Sequence, residues 1–116
     1  MTSTRRLAAI MFTDIVGYSA LMHTDEHHAR GLAARYRDEL DRLVALHGGS
    51  IVKHFGDGSL CMFTSTVEAV HCARELQLTL RRQPVVPLRI GLHTGDIVID
   101  GDDIYGDGVN IASRVE

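Results

Sequence analysis

Two carboxylates in this chain sit where a fold would hold them still and leave them reachable. Asp14 follows a continuous apolar run over residues 7–13 (LAAIMFT), so it falls at the C-terminal end of a strand. Asp57 lies in Phe55-Gly56-Asp57-Gly58, between two short β-prone stretches, so it falls at a hairpin tip. If the first strand lies beside that hairpin, the two carboxylates converge. Two carboxylates and little else suit Mg²⁺ or Mn²⁺, which take oxygen ligands and keep positions for water and phosphate. Asp-Gly is also a favoured turn dipeptide, which accounts for Asp57 without any ligand. Near the end of the chain, Asn110 and Arg114 are four residues apart in GDGVNIASRVE, so on a helix they share one face. An amide beside a guanidinium suits an anion, because the guanidinium carries planar donors matched to phosphate oxygens. A solvated polar face is the plainer account of the same spacing. His23 and His27 are also four apart, but no third ligand follows nearby, and a solvated helix end explains them.

The elements that must position these groups are written in the apolar pattern. Thr24 reads as an N-cap with Asp25 and Glu26 in the first turn, where the helix dipole favours them. Ala29, Leu32, Ala33, Tyr36, Leu40, Leu43 and Val44 then form a stripe at helical spacing, and Gly48-Gly49 ends it. Residues 50–54 and 59–64 are the arms of the hairpin around Asp57. Ser65-Thr66-Val67-Glu68 matches a capping box ahead of a second long helix carrying Ala69, Val70, Ala73, Leu76 and Leu80. Pro84 and Pro87 close that helix. Residues 88–94 read as a strand. Gly95-Asp96 and Gly101-Asp102 flank a further short strand over 97–99, which predicts a second hairpin. Val109, Ile111, Ala112 and Val115 carry a last helix. The order β-α-β-β-α-β-β-α predicts an α+β fold of the ferredoxin-like, split βαβ kind: an antiparallel sheet with helices on one face.

Bulk properties narrow the classes of function. The 116 residues make one domain, 1–116, and 45% hydrophobic with 23% charged residues is ordinary for a globular protein. No uncharged stretch is long enough to span a bilayer. The opening MTSTRR precedes an apolar run, but Asp14 interrupts that run, so it reads as a strand rather than a signal peptide. A net charge of −3 gives no electrostatic case for nucleic acid or an acidic membrane surface. Cys61 and Cys72 stand among apolar neighbours and read as buried free thiols in a reducing, cytoplasmic setting.

Three stretches taken together carry a family resemblance: Phe12-Thr13-Asp14-Ile15-Val16-Gly17-Tyr18-Ser19, then Lys53-His54-Phe55-Gly56-Asp57-Gly58, then DIYGDGVNIASR from Asp103 to Arg114. In this order they resemble the catalytic domain of the class III nucleotidyl cyclases, the adenylyl and guanylyl cyclase family. The resemblance runs from about residue 6 to the last residue and implies the cyclase core of the ferredoxin-like fold. In that family the domain continues past this helix with more strands and a lysine that contacts the triphosphate. The chain stops at Glu116 and so reads as a C-terminally truncated domain.

The resemblance implies roles residue by residue. Asp14, Asp57 and the backbone carbonyl of Ile15 would be ligands for two Mg²⁺ or Mn²⁺ ions per site. Asn110 would orient the ribose, and Arg114 would bind charge building on the α-phosphate. These last two would come from the opposite subunit, which makes the working form a homodimer with shared sites. Lys53 and Asp103 match the positions that select the base. Adenine offers an amine donor beside the N1 acceptor, so a carboxylate and an ammonium fit it, and guanine presents the reverse pattern. Guanylyl cyclases usually carry glutamate and a small residue there, so the implied substrate is ATP and the implied product 3′,5′-cyclic AMP. By their surroundings alone, Lys53 is an exposed strand residue and Asp103 a turn residue. Two other readings stand beside this one: a cyclase-like module that dimerises or senses nucleotide without turnover, and a ferredoxin-like regulatory domain whose turns are only turns.

Overall fold

Among the described residues, the apolar run at the start of the chain becomes the centre of a five-stranded sheet. The computed structural model describes residues 4–100 and 103–105. The elements are β1 (Thr4–Ile15), α1 (Tyr18–Thr24), α2 (Glu26–Leu46), β2 (Ser50–Phe55), β3 (Gly58–Phe63), α3 (Thr66–Leu80), β4 (Leu88–Asp100) and β5 (Asp103–Tyr105). The strand order is β2-β3-β1-β4-β5, with every neighbouring pair antiparallel. This is the split βαβ arrangement, with β1 flanked by β3 and β4, as the element order leads one to expect.

Alternation along β1 explains why its sequence is apolar without a break. Ala9, Met11 and Ile15 face α2 and α3, where they join Tyr36, Leu40, Leu43, Leu76 and Leu80 in the larger core. Ala8, Ile10 and Phe12 point the other way and pack with Leu60 and Ile97. Both sets are buried, so both faces of β1 are apolar from Ala8 to Phe12, and the buried polar residue that follows, Thr13, is hydrogen-bonded. Truncating a buried side chain such as Leu40 or Leu76 to alanine removes about 2–5 kcal/mol.

Local chemistry moves several boundaries away from the pattern-based reading. Thr24 is not the cap of the long helix. Its hydroxyl donates back to Ala20 and Leu21 carbonyls within α1, and Asp25 caps α2 by accepting from the His28 amide at 3.1 Å. Helix α1 itself follows Val16-Gly17, where only a turn was expected. None of its residues is fully buried, and the one pair that packs against the core, Tyr18 and Leu21, is too short a stripe to read as a helix. Gly17, at φ 72°, takes the left-handed conformation that lets the chain swing from β1 into α1. Ser65 caps α3 as expected, accepting from the Glu68 amide at 3.2 Å, while the Glu68 carboxylate bonds His47 Nδ1 at 2.8 Å. Gly95-Asp96 is not a turn. It lies within β4, opposite Ala8 and Leu7, because β1 extends far enough to pair with it. The second hairpin forms beyond it, where Asp100 pairs Asp103. The last expected helix lies outside the described residues.

Candidate active site

Asp14 is the penultimate residue of β1, and its cross-strand partners are Gly58 on β3 and Arg89 on β4. The register therefore puts Asp57, the residue before Gly58, beside Asp14 at one end of the sheet. Asp57 occupies the two-residue turn between the paired Phe55 and Gly58, with Gly56 at φ 58°. The approach of this turn to β1 is close. A Cβ built on Gly58 would stand 2.7 Å from the Thr13 carbonyl oxygen and 3.4 Å from Asp14 Cβ. The Phe55 and Phe12 rings, 5.9 Å apart between centroids, support the same junction. On the other side, the Val16 amide donates to the Pro87 carbonyl at 2.9 Å and ties the end of β1 to the approach of β4.

Arg89 is the residue the sequence reading passed over. Its Nε and Nη2 each donate to one Asp14 carboxylate oxygen at 3.0 Å, a bidentate clamp on a carboxylate whose side chain is 17% exposed. In sequence it was one polar member of an alternating strand. Its register opposite Asp14 is a long-range fact that no local pattern carries.

Behind the two aspartates lies a buried group of hydroxyls. Thr13 Oγ1 is 2.5 Å from Tyr36 Oη and 2.6 Å from Ser59 Oγ, and Tyr36 donates to Ser59 Oγ at 2.9 Å. Burial raises the Tyr36 pKa above its ordinary value, so the phenol stays protonated. Burial also pushes the Cys61 and Cys72 thiols up to about 12, which leaves both as inert free thiols.

Lys53 is exposed on β2, at the irregularity in its pairing with β3. Asp103 opens β5. These are the outer strands of the sheet in hydrogen-bonding order, yet β2 and β5 approach each other within 8 Å between Cα atoms. His23 and His27 are exposed on α1 and α2, and among the described residues no cluster of three or more His, Cys, Asp or Glu could hold a metal. Asp14, Ile15 and Asp57 lie together at one end of the sheet, whereas Asn110 and Arg114 lie outside the described residues. Two carboxylates backed by a main-chain carbonyl are hard oxygen donors, and they fit Mg²⁺ or Mn²⁺ when water and phosphate complete the shell.

Residues 2–116 match the model of the adenylate and guanylate cyclase catalytic domain. The chain belongs to that family. This cyclase domain is 44% identical over 120 residues to "Putative adenylate cyclase 3" of Rhizobium meliloti, covering 97% of this chain and 20% of that protein. It is 34% identical to an adenylate cyclase of Streptomyces coelicolor, covering 96% of this chain and 29% of that protein. The domain thus spans under a third of the length of these curated relatives. Among solved structures, an adenylate/guanylate cyclase/hydrolase from Silicibacter pomeroyi superposes with a TM-score of 0.89 at 40% identity, over 99% of this chain and 72% of that one. The guanylyl cyclase Cya2 gives 0.86 at 25% identity, over 100% of this chain and 72% of that one. Among the described residues, no helix of the domain is long and apolar enough to cross a membrane.

Proposed function

We propose that this cyclase domain converts ATP to 3′,5′-cyclic AMP and pyrophosphate, working as a homodimer with shared sites. The observation that supports the reading is the Asp14–Gly58 register, in which Asp57, the residue before Gly58, falls at the same end of the sheet as Asp14. The names of the relatives, adenylate cyclases in Rhizobium meliloti and Streptomyces coelicolor, favour ATP over GTP.

In this reading Asp14, Asp57 and the Ile15 carbonyl hold Mg²⁺ or Mn²⁺. A cation held by these residues would supply positive charge, favouring the ribose 3′-alkoxide and the pyrophosphate leaving group. Asp14 accepts two bonds from Arg89 in the structure, so it must share or release that clamp when it ligates. A released guanidinium is a planar fork suited to phosphate oxygens. Lys53 donates to adenine N1 and Asp103 accepts from the exocyclic amine. Asn110 orients the ribose. Arg114 binds the charge that builds on the α-phosphate, a contact worth most in the transition state.

The test is product analysis. The intact protein is incubated with ATP or GTP and Mn²⁺, and the nucleotides are separated by chromatography. Cyclic AMP is expected, with catalytic efficiency on ATP about tenfold or more above that on GTP, the margin a site built to hydrogen-bond one base easily supplies. No cyclic nucleotide from ATP, or a preference for GTP, overturns the proposal.

A further inference from the structure

The Thr13, Tyr36 and Ser59 hydroxyls close a ring directly behind the two aspartates, with sides of 2.5, 2.6 and 2.9 Å. Thr13 and Ser59 are 0% exposed and Tyr36 is 1% exposed. Three hydroxyls carry three protons, so each can donate once and accept once, and the ring satisfies all of them without water. That balance holds only while all three are present. Removing one leaves the other two with fewer partners than groups buried this deeply need.

The core does not call for these oxygens. Valine, phenylalanine and alanine would fill the same volumes without removing polar groups from water. Their placement gives the reason to keep them. Thr13 and Ser59 are cross-strand partners on β1 and β3, and the next rung outward is Asp14 with Gly58. Thr13 therefore adjoins one carboxylate, and Ser59 is two residues beyond the other. Tyr36 reaches the rung from α2 and ties both strands to the helical layer. The rung has no slack, since a Cβ at Gly58 would stand 2.7 Å from the Thr13 carbonyl oxygen.

We infer that the Thr13–Tyr36–Ser59 ring positions the metal site, locking the β1–β3 rung that sets how far apart the Asp14 and Asp57 carboxylates stand. The inference rests on the proposed role of those two aspartates as metal ligands. Groups that orient metal ligands from behind contribute to affinity although they never touch the ion.

The test reads Mn²⁺ binding to the full chain without nucleotide, from the electron paramagnetic resonance signal of the free ion, at a temperature where circular dichroism shows each variant folded. Tyr36→Phe and Thr13→Val are expected to weaken Mn²⁺ about tenfold or more, the usual cost of removing such support. Thr13→Ser keeps the ring oxygen and is expected to stay within about twofold of the parent protein. If Tyr36→Phe fails to fold, the comparison of Thr13→Val with Thr13→Ser carries the test. The ring is merely structural if Tyr36→Phe and Thr13→Val bind Mn²⁺ like the parent while Asp14→Ala does not. Equal weakening by Thr13→Ser and Thr13→Val also overturns the inference, because the oxygen is then not what matters. If Asp14→Ala itself binds Mn²⁺ as the parent does, the metal assignment fails first and takes the ring's role with it.

Discussion

Replacing Gly58 with alanine should damage stability and catalysis together, and the structure says by how much. The residue is buried, and its φ is not in the left-handed region, so the objection to a side chain is space alone. The added Cβ would meet the Thr13 carbonyl oxygen at 2.7 Å, Phe55 Cε2 at 3.1 Å and Asp14 Cβ at 3.4 Å. The Phe55 ring is 39% exposed and can swing away. The Thr13 carbonyl belongs to the central strand and can retreat only if β1 and β3 part. Forcing an extra carbon into a packed site costs about 1–3 kcal/mol. Taking about 2 kcal/mol, and about 4 °C per kcal/mol for a domain of this size, the melting temperature falls by roughly 8 °C. The same parting separates Asp14 from Asp57, so the Mn²⁺ concentration for half-maximal turnover should rise. Gly48→Ala is the control. At φ 72° with nothing within 4 Å of an added Cβ, it pays only backbone strain, far from the aspartates. That strain is about 1–2 kcal/mol, so Gly48→Ala should melt earlier with an unchanged metal dependence. Scanning fluorimetry and cyclic nucleotide formation against Mn²⁺ concentration read both effects. A Gly58→Ala protein melting within about 2 °C of the parent, with the parent's metal dependence, would refute the reasoning.

Further outcomes follow from other parts of the domain. His47 caps the C-terminus of α2, with Nδ1 bonded to Glu68 at 2.8 Å and Nε2 3.3 Å from Glu75, a charge contact that lacks hydrogen-bond geometry. The Glu68 bond raises the His47 pKa, burial opposes it, Glu75 adds to it, and His71 stands near Glu68 on the same helix. A raised pKa contributes stability that is complete below about 6.5 and fades as pH rises through the folded value. His47→Gln should therefore lower the melting temperature more at acid than at alkaline pH, and equal losses at both would contradict this. Lys53→Glu with Asp103→Cys should lower ATP use and shift preference toward GTP; an unchanged ratio of catalytic efficiencies would mean that these residues do not read the base. Co-expressed Asp14→Ala and Arg114→Ala chains of the intact protein should regain roughly a quarter of parent activity, because half the dimers are mixed and each keeps one whole site. No recovery from demonstrated mixed dimers would remove the shared site.

What could be read from the sequence was whatever depends on local pattern. The apolar run before Asp14, the stripe from Ala29 to Val44 and the Asp-Gly turn each follow from neighbours in the chain, and they were enough for β1, the long helix α2 and the β2–β3 hairpin, though not for α1 or the extent of β4. Register was not legible, because it depends on which strands meet. Asp14 opposite Gly58 and Arg89 joins residues far apart in sequence, and so does the Thr13–Tyr36–Ser59 ring. In sequence, Thr13 closed an apolar run and Tyr36 was one apolar position of a helix. Gly95-Asp96 shows the opposite failure, a strong local turn signal overridden by a partner strand long enough to pair with it. The caps differ by competition at short range: Thr24 and Asp25 both suit an N-cap, and the carboxylate takes it.

The central claim is that Asp14 and Asp57 together hold the catalytic metal, and alanine substitution at each in the intact protein tests it most directly. Both residues lie outside the apolar core, so Asp14→Ala and Asp57→Ala should keep the parent's circular dichroism while metal-dependent cyclic AMP formation falls below about a tenth of the parent rate. Retention of more than about a tenth of that rate by either folded variant, at saturating Mn²⁺ and ATP, would contradict the account.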